Sequence, residues 1–400
     1  MSVIEKQALG IQNVANSNYL TYLNGLRALA AVYVLVHHGF FHFATPAGSF
    51  AYYMALVFKR GHSAVNLFII ISGFCLMLPL LRNNGKIEGG VGRFFKKRAR
   101  RILPPFYITL IISILLHVAF LHRKTGTQWD GTFPFTSFDV FSMLFLFQDV
   151  FERTQSKINY SLWSVSVECH IYLLFPLLVL TWKKLGSILT AILTIIVALI
   201  IWLLILPVEG LNISRSGINP QYLCLFTFGF LTAYFSYSND ERAERFRKIH
   251  FAKIIIAAVL IFVFFSALFV AFRRFSPLPP HALRDLKEGM IISVVVFAIA
   301  TGRMKRTLAF LSWKPLVSIG LFSYSIYLMH APLLQLFTQY IVQPLQLSAV
   351  SASFALVFVG TPLTVLFSYL FYLAFERPFM TSRHDDKKFE KGRKKLFNAA

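Results

Sequence analysis

The sequence is poor in charged residues and in cysteine, and it is rich in apolar residues. Of its 400 residues, 14% are charged and 56% are hydrophobic, including 43 phenylalanines. A chain of this composition cannot bury its apolar surface in one water-soluble core, which predicts a polytopic membrane protein. The three cysteines, Cys75, Cys169 and Cys224, lie in apolar segments and lack metal-ligand spacing. They are interpreted as packing residues, so neither a metal site nor a disulfide is expected.

Sequence motifs of soluble enzymes and of secreted proteins are absent as well. The chain has no GxSxG nucleophile elbow, Walker-type loop, zincin helix or dinucleotide fingerprint. No permanently bound cofactor is expected. The first residues lack the basic start, short apolar run and small-residue cleavage site of a removable signal peptide. The first apolar helix is therefore expected to be the insertion signal.

Ten apolar runs have lengths that suit membrane-spanning helices. They lie at 20–43, 62–81, 102–121, 162–182, 186–206, 221–237, 252–272, 288–302, 317–342 and 351–375. A shorter piece at 138–148 carries Asp139 and Asp149 at its edges, which predicts an interfacial or re-entrant segment. The predicted fold is all-α, a bundle of about ten transmembrane helices, with residues 1–380 as one membrane-embedded domain.

Lys and Arg are distributed unequally between alternate loops. With the amino terminus placed in the cytoplasm, 28 of the 40 fall on that side, 11 fall on the other side, and Arg27 lies within the membrane. This bias predicts that both termini are cytoplasmic and that residues 381–400 form a basic cytoplasmic tail. The predicted location is the plasma membrane, the inner membrane in a bacterium. The same sorting accounts for the net charge of +23 without a nucleic-acid partner.

The first apolar run carries three ionisable residues, Arg27, His37 and His38. Such groups at membrane depth are usually functional, because each needs a partner, a cavity or a route to the interface. Arg27 and His38 share one helix face to within about 20° and lie roughly 16 Å apart along the axis, whereas His37 points elsewhere. This favours His38 as the functional histidine. In the alternative interpretation, Arg27 reaches the headgroups and both histidines bond neighbouring helices.

Two further segments place polar groups within or beside predicted helices. Glu168 lies at nearly the same membrane depth as His38, and a carboxylate there could pair with the imidazole. Arg98 and Arg101 are spaced by three residues, so they would share a face if their helix begins early, and guanidinium groups suit phosphate. The alternative is a topology-determining cluster beside anionic lipid.

Tyr324, Tyr327 and His330 also recur every three residues in SYSIYLMH. They form one stripe that either lines a polar passage or bonds neighbouring helices. Spacing alone does not choose between the two.

These segments together resemble the acyltransferase 3 family of integral membrane acyltransferases, which typically O-acylate extracytoplasmic glycans. The resemblance covers most of residues 20–380. It rests on the order and spacing of Arg27 and His38, NLFIIISGF at 66–74, Arg98 and Arg101 followed by ILPPFY, LWSVSVECHIYLLFP at 162–176, SYSIYLMH at 323–330 and FERP at 375–378.

The resemblance implies a catalytic role for His38 and a role for the arginines in handling the donor, usually acyl-coenzyme A. Glu168 matches a characteristic block. Two positions depart from the family pattern: Asn66 stands where an acidic residue is common, and Cys169-His170 replaces a polar pair.

The predicted function is transfer of an acyl group, most simply acetyl, from cytoplasmic acyl-CoA to a hydroxyl of an extracytoplasmic saccharide or glycolipid. His38 is the predicted general base, with Glu168 as its partner. Arg27, Arg98, Arg101, Tyr327 and His330 are the predicted substrate-binding residues. The thioester arm would either thread a polar passage or load an acyl-enzyme. The alternative function is a proton-coupled transporter or flippase, although the repeated halves typical of transporters are not found.

Overall fold

Apolar runs of helical length dominate the chain, and the computed structural model is correspondingly all-helical in the residues it describes. These are residues 20–380 without 42, 44, 122 and 272–278, so the predicted tail at 381–400 lies outside them. A single isolated antiparallel bridge joins Phe151 and Leu211 within the described part of the chain. The predicted fold class is confirmed in this respect.

The described residues form fourteen helices and one short 3-10 turn at Gln128–Thr132. In chain order the helices are α1 (Thr21–Phe41), α2 (Phe50–Phe58), α3 (Gly61–Arg82), α4 (Gly90–Ala119), α5 (Ser137–Leu144), α6 (Trp163–Ile205), α7 (Gln221–Tyr237), α8 (Glu241–Lys248), α9 (Phe251–Ala271), α10 (Pro280–Ala300), α11 (Lys305–Leu311), α12 (Lys314–Leu321), α13 (Ser323–Phe337) and α14 (Ala349–Met380). The sequence-predicted apolar runs all coincide with helices.

A helix can cross a membrane when it is long enough and sufficiently apolar. Four helical stretches in the described part of the chain pass this test, Phe50–Arg82, Gly90–Ala119, Trp163–Ile205 and Ala349–Met380. A fifth passes if α12 and α13, which meet at 69°, count as one broken span. These helices make the chain a membrane protein. The larger number of about ten spans and the cytoplasmic termini stay predictions.

Glycines allow the central helices to approach backbone to backbone. A Cβ atom on Gly73 of α3 would lie 2.0 Å from the carbonyl oxygen of Phe226, and one on Gly229 of α7 would lie 1.9 Å from that of Ile70. Because neither position has room for a side chain, α3 and α7 pack directly against each other. Helices α1, α6 and α10 pack against this pair.

Several basic loops meet at one end of the bundle, which we call the Arg98 end. Gly85, in the turn between α3 and α4, lies against Lys183 near the middle of α6. Arg303, which follows α10, donates to the carbonyl oxygen of Arg247 in α8 at 2.6 Å. The residues preceding α4 therefore lie on the same side as the central kink of α6.

The other set of loops meets at the opposite end, which we call the His38 end. Arg60, at the start of α3, pairs with Glu288 of α10 at 3.4 Å. Asn212, which follows α6, donates to Gln155 at 2.9 Å. Helix α1 runs between the two ends, so it carries Arg27 near the first and His38 near the second.

Candidate active site

A cavity of about 430 Å³ opens within the bundle at the Arg98 end. It lies between α1, α3, α4, α6, α12, α13 and α14. Its ionisable lining includes four arginines, Arg27, Arg82, Arg98 and Arg101, and two carboxylates, Glu168 and Glu376. Four guanidinium groups against two carboxylates leave a positive excess, which favours an anionic ligand.

Arg98 and Arg101 face the cavity because α4 begins early. The helix starts at Gly90, so residues three apart share one face, and both arginines are half-buried cavity residues. The neighbouring cations Lys96, Lys97 and Arg100 are exposed. The guanidinium carbon of Arg98 lies 5.7 Å from the centre of the Tyr172 ring, a cation–π distance. The cluster therefore has two members turned inward and three turned outward.

Arg27 lies on the α1 wall of the same cavity. One guanidinium nitrogen donates to Asn24 Oδ1 and the other to Cys75 Sγ, both at 3.4 Å. The side chain is half-buried and points into the bundle rather than towards headgroups. These partners account for a cation at this depth.

Glu168 is also a cavity residue, and the structure does not pair it with His38. Its carboxylate accepts a bond from Ser72 Oγ at 2.8 Å and another from the hydroxyl of Tyr172. Tyr172 is the residue whose ring lies under Arg98. A predicted equal depth along two helices does not fix the direction of a side chain, and here the carboxylate bonds to Ser72 and Tyr172 in the wall of the arginine cavity.

Glu376 is a second cavity carboxylate, which sequence reasoning did not single out. It is 1% exposed and accepts bonds from the backbone nitrogen of Ser325, at 3.1 Å, and from the Ser325 hydroxyl. A buried carboxylate is stable when donors and nearby cations compensate its charge, and Arg27 and Arg101 line the same cavity. Its signal in the sequence was the acid of FERP, next to an apolar run.

His38 lies under the surface at the other end of α1, where it is 8% exposed. Its ring stacks on His330 with 5.3 Å between centroids, and the Trp129 ring lies at 5.2 Å. Gln128 Nε2 lies 2.9 Å from His38 Nδ1. The loop residues Gln128 and Trp129 carried no signal in the sequence.

His37 has different surroundings. Its Nδ1 bonds to the carbonyl oxygen of Phe58 at 2.6 Å. A Cβ atom on Gly61 would lie 2.4 Å from the His37 ring, so the start of α3 packs closely on it. His37 therefore ties α1 to the link between α2 and α3, and its ring also meets that of His38 edge-on at 5.0 Å.

Tyr327 connects the cavity with the histidine pair. Tyr327 lines the cavity, its hydroxyl accepts a bond from Ser164 at 2.6 Å, and its ring lies 5.5 Å from that of His330. His330 Nδ1 bonds to the Tyr327 carbonyl oxygen at 2.7 Å. A carbonyl only accepts, so this nitrogen carries the proton and Nε2 is free to accept. The predicted stripe of α13 thus leads from the cavity to His38.

The two departures from the family pattern have local explanations. Asn66 is buried, and its amide nitrogen donates to Asp285 at 3.2 Å and Glu288 at 3.3 Å. An acid at position 66 would place a third negative charge beside these two carboxylates. His170 pairs with Asp149 at 3.5 Å. Neither Asn66 nor His170 lines the arginine cavity.

An all-helical membrane protein with a cationic cavity at one end and a histidine pair at the other is the class that the fold and the site define. A family model described as "Acyltransferase domain" matches residues 20–373, and the chain belongs to this family. The resemblance seen in the sequence is thereby confirmed. No solved structure shows a significant match.

Curated relatives carry names that specify the reaction. The chain is 26% identical to the peptidoglycan O-acetyltransferase OatA of Listeria monocytogenes, over 86% of this chain and 56% of the relative. It is 23% identical to the O-acetyltransferase OatA of Staphylococcus aureus, over 88% of this chain and 58% of the relative. A putative peptidoglycan O-acetyltransferase of Bacillus subtilis, YrhL, is also 23% identical, over 80% and 49%. The chain thus spans about half to three-fifths of these relatives.

Proposed function

We propose that this protein is a membrane O-acetyltransferase that moves an acetyl group from acetyl-coenzyme A to a hydroxyl of an extracytoplasmic saccharide. The observation that carries the proposal is the continuity of the site. Tyr327 lines the arginine cavity and contacts His330, which stacks on His38. Membership of the acyltransferase family supports an enzyme and gives no support to a transporter.

The arginine cavity suits the donor. Coenzyme A carries several phosphate charges, and guanidinium groups bind phosphate through paired hydrogen bonds. Arg82 is exposed, whereas Arg98, Arg101 and Arg27 are half-buried, so the cationic lining continues from the surface into the bundle. A ligand with an anionic head and a slender arm fits a cavity whose arginines extend from the surface into the bundle. The arm would extend past Tyr327 towards His330.

The transfer step requires a base at the acceptor hydroxyl. His38 takes the hydroxyl proton as the oxygen forms a bond to the thioester carbonyl carbon. The carbon–sulfur bond then breaks, and the coenzyme A thiolate receives the proton from the imidazolium. The products are an O-acetyl ester and free coenzyme A, with His38 returned to its neutral form. Tyr327 and His330 would guide the donor arm along this route.

The acceptor would approach at the His38 end. Because the Listeria relative is named a peptidoglycan O-acetyltransferase and the Bacillus relative a putative one, a muramyl saccharide is the first acceptor to test. Gln128 is exposed and bonded to His38, which places this histidine one side chain below the surface. A saccharide hydroxyl arriving there need not cross the bundle. Donor and acceptor would thus enter from opposite ends.

The test uses the whole purified chain in lipid nanodiscs, with acetyl-coenzyme A and soluble muramyl saccharides. We expect free coenzyme A to appear only when the saccharide is present, and the saccharide mass to rise by one acetyl group. His38→Asn protein is the control for background hydrolysis. Movement of the saccharide across proteoliposomes without acetylation would instead establish a transporter.

A further inference from the structure

The loop segment above His38 presents one side chain directly to the imidazole. Gln128 begins the 3-10 turn Gln128–Thr132, and its Nε2 lies 2.9 Å from His38 Nδ1. The next residue, Trp129, is 1% exposed and packs its ring 5.2 Å from that of His38. The turn therefore contacts His38 through a buried anchor and a polar group.

This turn is held in place by bonds that do not involve His38. The carboxylate of Asp130 accepts from the backbone nitrogen of Thr125 at 2.6 Å, from the Thr125 hydroxyl at 2.8 Å and from the nitrogen of Gly126 at 2.9 Å. Thr132 donates to the carbonyl oxygen of Trp129 at 2.6 Å. Gln128 thus projects from a turn that is held in place independently of His38. A residue that orients a catalytic group needs such a rigid support.

We propose that Gln128 is the positioning residue of His38, an inference that rests on the proposed function. The amide nitrogen can only donate, so in this arrangement Nδ1 accepts and the proton lies on Nε2. Amide nitrogen and oxygen have nearly the same shape, and a half-turn of the amide presents the oxygen instead. The oxygen accepts a hydrogen bond from a protonated Nδ1, and the unprotonated Nε2 can then act as the base. Gln128 holds the ring in either state.

Other groups also face His38 and enter the interpretation of its pH dependence. His37 lies on the same helix with 5.0 Å between ring centroids, and His330 of α13 lies at 5.3 Å. Tyr160, from the loop before α6, approaches edge-on at 6.5 Å. All three are unchanged in the variants below. A difference between those variants therefore reports on position 128.

The experiment compares Gln128→Asn and Gln128→Glu with the same changes at Gln155. Gln155 lies in the same long loop, where its side chain accepts from Asn212 and Ser214. Asparagine at 128 is too short to reach Nδ1, so kcat should fall about tenfold, with the KM for acetyl-coenzyme A unchanged at the opposite end. A carboxylate at 128 keeps the bond and favours the imidazolium. It should move the acid limb of the pH–rate profile upward by about one pH unit.

The outcomes separate this inference from the proposed function. If His38→Asn abolishes transfer while both Gln128 variants keep the wild-type rate and pH profile, the positioning role is overturned and the proposed function stands. If His38→Asn keeps full transfer, the proposed base is wrong and the inference falls with it. Should Gln128→Asn fail to fold, the upward shift in Gln128→Glu still decides, because a purely structural role would not move the acid limb.

Discussion

Among single residues, the cations at the start of α4 differ in burial, and the proposed function assigns coenzyme A binding to the half-buried ones. Arg98 and Arg101 are half-buried in the cavity wall, while Lys96 and Lys97 are exposed. Charge-assisted contacts are worth about 1.5–3 kcal/mol each, roughly a tenfold to hundredfold change in affinity. The double variant Arg98→Ala, Arg101→Ala should therefore bind coenzyme A much more weakly, as measured by titration calorimetry in detergent.

The matched control is Lys96→Ala, Lys97→Ala, which removes the same charge from the exposed face. It should leave coenzyme A affinity nearly unchanged, because exposed charges are screened. The double variant Arg98→Lys, Arg101→Lys should keep only part of the coenzyme A affinity, since lysine lacks the paired donors of a guanidinium group. Equal losses in the two double variants would assign the cluster to membrane orientation alone.

The two adjacent histidines allow a second comparison at this scale. Asparagine is close to imidazole in size and keeps a hydrogen bond, but it cannot accept and return a proton near neutral pH. His38→Asn should lower acetyl transfer by about 10²–10⁴ while coenzyme A binding is kept. His37→Asn should be far milder, because His37 bonds the Phe58 carbonyl instead. If a transfer assay showed a greater loss for His37→Asn than for His38→Asn, the assignment of His38 as the functional histidine, based on the helix face it shares with Arg27, would be contradicted.

The sequence predicted those residues whose partners follow from helical spacing. Arg27 and Tyr327 line the cavity, and His37 and His38 have different hydrogen-bond partners, because each position is set by one continuous helix. Glu168 was expected to pair with His38, but its carboxylate accepts hydrogen bonds from Ser72 and Tyr172 instead. Gln128 was beyond prediction, since it reaches His38 through a loop whose course depends on Asp130. Tertiary contacts, rather than periodicity, decide such residues.

At the scale of elements, close helix packing depends on glycines that no side chain can replace. Gly229 of α7 meets the backbone of α3 at Ile70, where a Cβ atom would lie 1.9 Å from the carbonyl oxygen. Gly229→Ala should force the helices apart at a cost of about 1–3 kcal/mol. Thermal unfolding in detergent should show the loss. Gly92→Ala, in a helix position with nothing within 4 Å of the added atom, should leave stability the same or higher.

The helices themselves were predictable because an apolar run of spanning length has few other ways to satisfy its backbone in lipid. The positions where the helices break were less predictable from the sequence. Gly186, with φ of 80°, divides the long helix α6 between two predicted spans. The 69° bend between α12 and α13 falls within a single predicted run. It occurs at Phe322, between the two helices, and no proline at that position marks the break in the sequence. Periodicity identifies helices but not every change of direction.

For the whole molecule, the proposed function depends on which end faces the cytoplasm, because the proposed donor, acetyl-coenzyme A, is a cytoplasmic metabolite. Of the Lys and Arg residues outside the membrane, 28 fall on the side of the Arg98 end and 11 on the other side, which predicts that the Arg98 end is cytoplasmic. We test this with single cysteines at two exposed positions, Lys86→Cys at the Arg98 end and Glu152→Cys at the His38 end. Both are made in a background whose three native cysteines are alanine and which still transfers acetyl groups.

In intact cells, a membrane-impermeant maleimide should label the cysteine at position 152 and should label the one at position 86 only after permeabilisation. The physical reason is the positive-inside bias, which also places the four arginines of the cavity on the side of the coenzyme A pool. The reverse labelling pattern would put the arginine cavity outside the cell. Cytoplasmic acetyl-coenzyme A could then not reach Arg98, and the assignment of donor and acceptor to opposite ends would have to be abandoned.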